Sequence, residues 1–372
     1  MFFTRGRAGM IQRSALVGWM LACIFLLNAC STGAYFWQAT TGHLKVLAAA
    51  ETIDDILSRP DVPEKLRNQL QHVQEIREFS VAHLVLPDNR SYRTYADLNR
   101  AYAVWNVVAS QSDSLSLETW CFPLLGCISY KGFYSESSAV DLADTLRKQG
   151  LDVAVLGVPA YSTLGFTPDP VLNTFVNYPA GELARLVFHE LAHQVVYIAD
   201  DSMFNESFAT AVEELGVVAW LAEPGREALK TQYEIFDSRR NAFRLMLAKA
   251  RDDLEQIYEN RNKLDKQHVL RLKKMRFDQL LADYAALKDS WGGWAGYDRF
   301  MAEDLNNAKL GVSGLYTQYV SAFKSLHRLC DQSFSRFYAA TEALGEYSRD
   351  QRERVLTELQ LGEPLSFGFK CL

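Results

Sequence analysis

The sequence lacks several features that would point to particular function classes. It has no cluster of Lys and Arg, no internal repeat and no low-complexity run. Without a basic stripe to contact phosphates, nucleic acid is not expected as a partner. The 39 basic and 45 acidic side chains give a net charge of −6, which is typical of a soluble surface. The cysteine spacing does not match a zinc knuckle, so no cysteine-based metal site is expected.

The composition is that of a globular protein. Among the 372 residues, 48% are apolar and 23% are charged, which separates the chain from disordered sequences. This length is enough for one large domain or two ordinary ones. The hydrophobic core can therefore be large enough to surround a buried site.

Residues 1–30 are predicted to be a targeting segment. Three Arg residues precede an apolar stretch, Ala15–Leu27, that is the length of a signal-peptide core and short for a membrane span. The stretch ends in Leu27-Asn28-Ala29-Cys30, which resembles a bacterial lipobox. That resemblance implies lipidation of Cys30, and Ser31 after it implies an outer-membrane anchor facing the periplasm. An ordinary cleaved signal or an uncleaved anchor is the alternative.

Four further cysteines are candidates for disulfides, because an exported compartment is oxidising. Four cysteines permit three pairings. The short spacing between Cys121 and Cys127, with Pro123 and Gly126 between them, favours a local loop. That pairing would leave Cys330 to bond with Cys371 and hold the C-terminal tail.

The remaining chain is predicted to be α+β and mainly α-helical, with a small sheet beside the helix that contains residues 189–193. Residues 31–223 form the predicted core. Residues 224–296 contain a long stretch without Gly or Pro in which apolar residues recur at helical spacing. This pattern predicts a long antiparallel helical hairpin, either a structural arm or a surface for a protein partner. Residues 297–372 are predicted to be helical and to pack on the core.

The segment His189-Glu190-Leu191-Ala192-His193 is the central feature of the sequence. Two residues four apart lie on one face of a helix, so both imidazoles can bind a single ion. Glu190 is then placed to act as general base on a water held by that ion. Packed or surface histidines are the alternative interpretation.

A candidate for a third ligand lies in the segment Asn205-Glu206-Ser207-Phe208-Ala209. This segment resembles the N-E-x-F-A helix of the gluzincin peptidases, and the resemblance implies that Glu206 is the third zinc ligand. Only twelve residues separate His193 from Glu206, against about eighteen in that family, so the connecting loop must be short. Glu213 lies about two helical turns after Glu206. It is expected either to hydrogen-bond a ligand histidine or to belong to a solvated face.

Across most of its length the chain also resembles a bacterial lipoprotein family of zinc aminopeptidases. The resemblance includes the His-Glu helix, the start from Cys30 to Leu44, Ala160–Gly165 with Asp169–Leu172, and Leu305–Leu310. It implies a gluzincin-like core, a bound Zn²⁺ and a peptide substrate. The chain would then reside in the bacterial cell envelope.

The expected activity is hydrolysis of peptide bonds, with Tyr316 or Tyr319 as a donor to the oxyanion. The strand around residues 153–160 is expected to pair with an extended peptide. Aminopeptidase action needs a carboxylate to bind the free ammonium group, but the G-x-M-E-N segment of aminopeptidase N is absent, so an endopeptidase remains an alternative. A catalytically idle lipoprotein that acts as an envelope scaffold or assembly factor is the second class.

Overall fold

The computed structural model describes residues 33, 35–122 and 126–371. The chain divides into two units, the first ending at Ala48 and the second running from Ala49 to Leu372. In the first unit, residues 35–48 form helix α1. The proposed signal segment and Cys30 lie outside the described residues. Within the described part of the chain, no helix is long and apolar enough to cross a membrane.

The second unit is mainly helical with small sheets, which confirms the predicted fold class. Its described helices are α2 Ile53–Ser58, α3 Glu64–Ala82, α4 Glu136–Lys148, α5 Ala180–Ala192, α6 Ser202–Leu221, α7 Glu227–Glu259, α8 Lys266–Ser290, α9 Asp298–Ala302, α10 Asn307–Leu315, α11 Val320–Leu329, α12 Phe334–Gly345 and α13 Arg349–Leu361. Most of its described strands lie between α3 and α5, and from α5 onward the described elements are helical. Two short 3₁₀ turns, Arg261–Lys263 and Ser366–Gly368, complete the helical part.

The strands described in the second unit are short and form three separate sheets. They are β1 Glu51–Thr52, β2 Thr94–Ala96, β3 Val104–Ser110, β4 Trp120–Phe122, β5 Gly126–Ile128, β6 Lys131–Phe133, β7 Asp152–Val158 and β8 Val171–Leu172. In one sheet β2 pairs with β1 and, in parallel, with β8. In the second, β3 lies between β6 and β7 and runs antiparallel to both. β4 and β5 form a hairpin.

The helix with the His-Glu motif, α5, is buried because its apolar residues follow the helical period. Leu183, Val187 and Leu191 are completely buried, and their spacing of four places them on one face. The adjacent helix α6 is buried on most of its surface. The two helices approach closely at Gly216, where a Cβ would lie 2.9 Å from Cδ2 of Phe188.

The long hairpin predicted after residue 224 is present as α7 and α8. Arg276 of α8 lies 2.8 Å from Asp253 of α7, and Tyr284 packs against Phe243. Because residues late in α8 meet residues early in α7, the two helices run antiparallel. Lys273 also donates to Asp152 of β7 at 2.5 Å, so the hairpin is packed on the β3–β7 sheet.

Two disulfides are formed by the four described cysteines. Cys121 and Cys127 lie directly opposite each other in the β4–β5 hairpin. Cys330, at the end of α11, is bonded to Cys371. Crosslinks of this kind restrict the unfolded chain. The second bond attaches the last described residues to the helical core.

Candidate metal centre

His189 and His193 lie at the C-terminal end of α5, one turn apart. His193 is the residue that caps the helix. Their Nε2 atoms are 3.2 Å apart, and their rings meet edge to face with centroids 4.8 Å apart. Both imidazoles therefore direct the same nitrogen toward one point.

Glu206, in the first turns of α6, supplies the third group at this point. Its Oε2 lies 3.3 Å from Nε2 of His189 and 3.8 Å from Nε2 of His193. The ligand atoms of the three residues lie within 4.8 Å of one another. Oε2 is buried, and no described group is aligned to donate a hydrogen bond to it. Such an orphaned oxygen between two imidazole nitrogens fits a site that holds a cation.

Side-chain hydrogen bonds hold the short loop between α5 and α6 in place. Asn205 binds the loop through two hydrogen bonds, accepting from the backbone N–H of Ile198 at 2.8 Å and donating to its carbonyl at 2.7 Å. Asp201 caps α6 by accepting from the N–H of Phe204. Arg352 of α13 binds the same carboxylate at 2.8 Å. The Asn of the Asn-Glu pair thus fixes the turn that brings Glu206 to the histidines.

The protonation states of the cluster suit metal binding. Burial lowers the pKa of His189 to about 3 and that of His193 to about 4. Both rings are therefore neutral at pH 7 and have a lone pair to donate. Burial raises the pKa of Glu206, and the nearby His193 lowers it only in part, so the carboxylate lacks a full countercharge. A bound cation would supply that charge.

Glu213 orients one of the imidazoles. Its Oε2 lies 3.1 Å from Nδ1 of His189, the ring nitrogen that faces away from the cluster. Its other oxygen accepts a hydrogen bond from Arg185, which is itself buried. A carboxylate on Nδ1 fixes the tautomer in which Nε2 has the free lone pair. Glu213 was expected either to hydrogen-bond a ligand histidine or to belong to a solvated face, and in the structure it lies within hydrogen-bond distance of His189.

Glu190 follows His189 and is partly buried. Burial raises the pKa of its carboxyl group well above the usual value, and the negative charges of Glu206 and Asp169 raise it further. No described residue forms a hydrogen bond or ion pair with its side chain. The carboxylate of Glu190 therefore has a high proton affinity, and its oxygens are free to interact with a substrate or a water.

The two candidate tyrosines are placed differently. The ring of Tyr316 lies 6.2 Å from that of His189, and the negative charge of Glu206, together with burial, raises the pKa of its hydroxyl well above 10. The structure therefore brings Tyr316 to the cluster. Tyr319 shows no described ring contact with the histidines; burial and the charges of Glu353 and Asp201 raise the pKa of its hydroxyl.

A second buried group of polar side chains lies beside Glu190, and sequence reasoning missed it. Asp169 accepts hydrogen bonds from the N–H of Thr163 and from Gln194 at 3.3 Å, and burial raises its pKa to about 6. Tyr92 is 1% exposed, adopts a φ of 61°, and has a buried hydroxyl without a described partner. Gln194 directly follows His193, but the other residues come from distant segments, so no spacing in the sequence indicates the group.

A family model matches most of the chain. The family model described as "Putative aminopeptidase" matches residues 34–356. No curated protein and no solved structure matches the chain. The match covers most of the sequence and includes α5, α6 and Tyr316. The chain therefore belongs to this aminopeptidase family, and peptidase function follows from that membership.

Proposed function

We propose that this peptidase is zinc-dependent and that His189, His193 and Glu206 hold the ion. The observation that carries the proposal is the convergence of two Nε2 atoms and one carboxylate oxygen within 4.8 Å. The three residues come from two helices. This arrangement requires the short loop and its supporting hydrogen bonds, so a chance surface cluster does not account for it.

The donor set fits zinc. Two neutral imidazoles with one carboxylate is a common catalytic zinc set, because three protein ligands leave a fourth position open. Harder ions such as Mg²⁺ and Ca²⁺ prefer oxygen ligands only. The buried, unpartnered Oε2 of Glu206 and the carboxylate of Glu213 on His189 complete the features expected around such an ion.

When bound, zinc lowers the pKa of a coordinated water to about 7 and polarises the scissile carbonyl group. Glu190 takes the proton of the attacking water and passes it to the leaving amine. Tyr316 keeps its hydroxyl proton because its pKa is raised, so the hydroxyl can donate a hydrogen bond to the developing oxyanion.

The substrate is proposed to bind in extended form along β7. Among the described strands this one pairs only with β3, so its other edge has no strand neighbour; there the carbonyl of Val153 accepts a hydrogen bond from the Asn306 side chain. Adding a peptide as a further strand is a common mode of recognition. We favour removal of N-terminal residues as the activity, with internal cleavage as the alternative that the assay below separates.

The decisive experiment measures zinc and turnover together. Wild type should contain about one zinc per chain and should release the N-terminal residue from peptides with a free amino group, and a chelator should abolish the activity. Glu206→Ala should lose both zinc and activity. Glu190→Gln should keep the zinc while turnover falls roughly a hundred- to ten-thousand-fold.

A matched control is Glu214→Gln. Glu214 neighbours Glu213 but binds Arg244 at 2.7 Å and Lys324 at 2.5 Å instead, so this variant should keep both zinc and activity. Cleavage of amino-blocked peptides at the same rate as free ones would identify an endopeptidase. Full zinc content in Glu206→Ala would refute the proposed ligand set.

A further inference from the structure

A cavity of about 550 Å³ lies between the long hairpin and the metal-binding helix α6. Its wall is formed by the last turns of α7, by α10, by the first turn of α6 and by residues 114–119. Leu115, Leu117 and Met203 make part of the lining apolar, and several Ser and Thr hydroxyls supply polar atoms. A space of this size can hold several atoms of a peptide side chain or chain end.

The cavity borders the metal centre on two elements. Met203 lines it and lies three residues before Glu206, which places the two on one face of α6 about 4.5 Å apart along the axis. Leu315 also lines it and directly precedes Tyr316. A peptide bound at the centre can therefore extend into this cavity.

Arg251 is the least exposed of the charged side chains that line the cavity. Six charged side chains line the cavity, and only Arg251 is not exposed. Its Nε is buried without a hydrogen-bond partner among the described residues. Its nearest carboxylate, Glu255, is 3.9 Å away on a side chain that is 52% exposed, so this ion pair is weak. The Arg251 side chain is only 15% exposed, so an anionic ligand that accepts from its unpartnered Nε–H would stabilise it.

Two glycines on α10 let its backbone approach the Arg251 guanidinium and the segment around Leu115 closely. A Cβ on Gly314 would lie 2.3 Å from Cζ of Arg251 and 2.5 Å from both Nη atoms. A Cβ on Gly311, one turn earlier, would lie 2.5 Å from the carbonyl oxygen of Leu115. The guanidinium therefore packs directly against the α10 backbone, and no larger residue at position 314 fits without displacing it.

We propose that Arg251 binds a carboxylate of the peptide substrate, so that the enzyme prefers short peptides whose free C-terminus reaches this cavity. The proposal rests on the peptidase function proposed above. A planar guanidinium suits a carboxylate because it can donate two parallel hydrogen bonds. The same chemistry could come from an acidic side chain of the substrate, and the experiment separates the two sources.

The test compares matched substrates and matched variants. Tetra-alanine is offered as the free acid and as the C-terminal amide. A second pair, both amidated, carries Glu or Gln at the last position. The variants are Arg251→Met, Arg251→Lys and Arg261→Met. Arg261 is the control because it lines the same cavity, but its side chain is about half exposed and donates to the carbonyl of Tyr258. Thermal melting of each variant verifies folding.

Wild type should cleave the free acid about ten- to a hundredfold more efficiently than the amide, as one charge-assisted contact allows. Arg251→Met should lower that ratio to about 1, Arg251→Lys should give an intermediate ratio, and Arg261→Met should keep the wild-type ratio. A preference for the Glu over the Gln peptide that also depends on Arg251 would support the carboxylate site and assign it to a side chain. Ratios that are near 1 in wild type, or unchanged in Arg251→Met, would overturn the proposal.

A second readout keeps this proposal separate from the zinc peptidase proposal. Calorimetric binding of both tetra-alanines is measured on Glu190→Gln and on the double variant Glu190→Gln with Arg251→Met. Tighter binding of the free acid that disappears in the double variant supports the carboxylate site even if wild type proves inactive. Equal binding of acid and amide refutes the site even if wild type is a zinc peptidase.

Discussion

Replacing Glu213 by Gln should weaken zinc binding and destabilise the fold for two separate reasons. The charge of Glu213 on Nδ1 of His189 increases the basicity of the ligand nitrogen, and loss of such a partner costs about tenfold or more in metal affinity. The same carboxylate neutralises Arg185, which is 8% exposed. Removing one partner of a buried ion pair costs about 3–5 kcal/mol. Glu182 remains 3.7 Å from Arg185, so we expect the lower end, about 3 kcal/mol.

A double-mutant cycle separates the two effects. Adding Arg185→Met to Glu213→Gln removes the buried charge and should recover much of the lost stability, but not the zinc affinity. Stability is measured by urea unfolding of the metal-free protein, and zinc affinity by competition with a fluorescent chelator. Glu214→Gln is the control and should leave zinc affinity unchanged. If Glu213→Gln bound zinc as tightly as wild type, the carboxylate would have no role in orienting His189. If the two substitutions were additive in stability, the ion pair would contribute nothing.

Three further predictions follow from other contacts. Tyr316→Phe should lower kcat about a hundredfold with little change in KM, while Tyr319→Phe should leave kcat unchanged; equal effects would refute the oxyanion role. Gly216→Ala should destabilise the protein by about 1–3 kcal/mol in thermal or urea unfolding, because its methyl group would lie 2.7 Å from Leu84 in a packed core; an unchanged midpoint would contradict that. The pKa of Asp169, raised from 3.8 to about 6, means that the folded state binds the proton more tightly, so this group costs stability as pH rises from about 4 to 6, up to about 3 kcal/mol. Urea unfolding of Asp169→Asn should lack that decrease, and a wild-type pH profile in the variant would refute it.

The long elements could be predicted from the sequence because their signals are local. The hairpin of α7 and α8 follows from a stretch without Gly or Pro and from apolar residues at helical spacing. Helix α5 follows from Leu183, Val187 and Leu191. The short strands could not be predicted in the same way. β1 and β8 have two residues each, and their pairing with β2 depends on segments far apart in the chain.

The same distinction applies to the site. His189 and His193 belong to one helical turn, so their convergence is a local property of the sequence. The proposed role of Glu206 needed the resemblance to a family, because a gap of twelve residues does not by itself show that two helices pack closely. The contribution of Arg185 could not be found from spacing at all. It comes one turn before His189 but acts through Glu213, 28 residues away.

The structure also explains how a connection of twelve residues can close the site. A short loop between packed helices has few conformations available, so its backbone groups need hydrogen-bond partners within the protein. Asn205 supplies two of those bonds to Ile198, and Asp201 combines helix capping with an ion pair to Arg352 of α13. The position of Glu206 therefore depends on the C-terminal helices as well as on its own. This dependence gives a physical reason why the candidate metal centre and the helices after residue 297 form one structural unit, since a shift of α13 would release the loop that positions Glu206, the proposed third ligand.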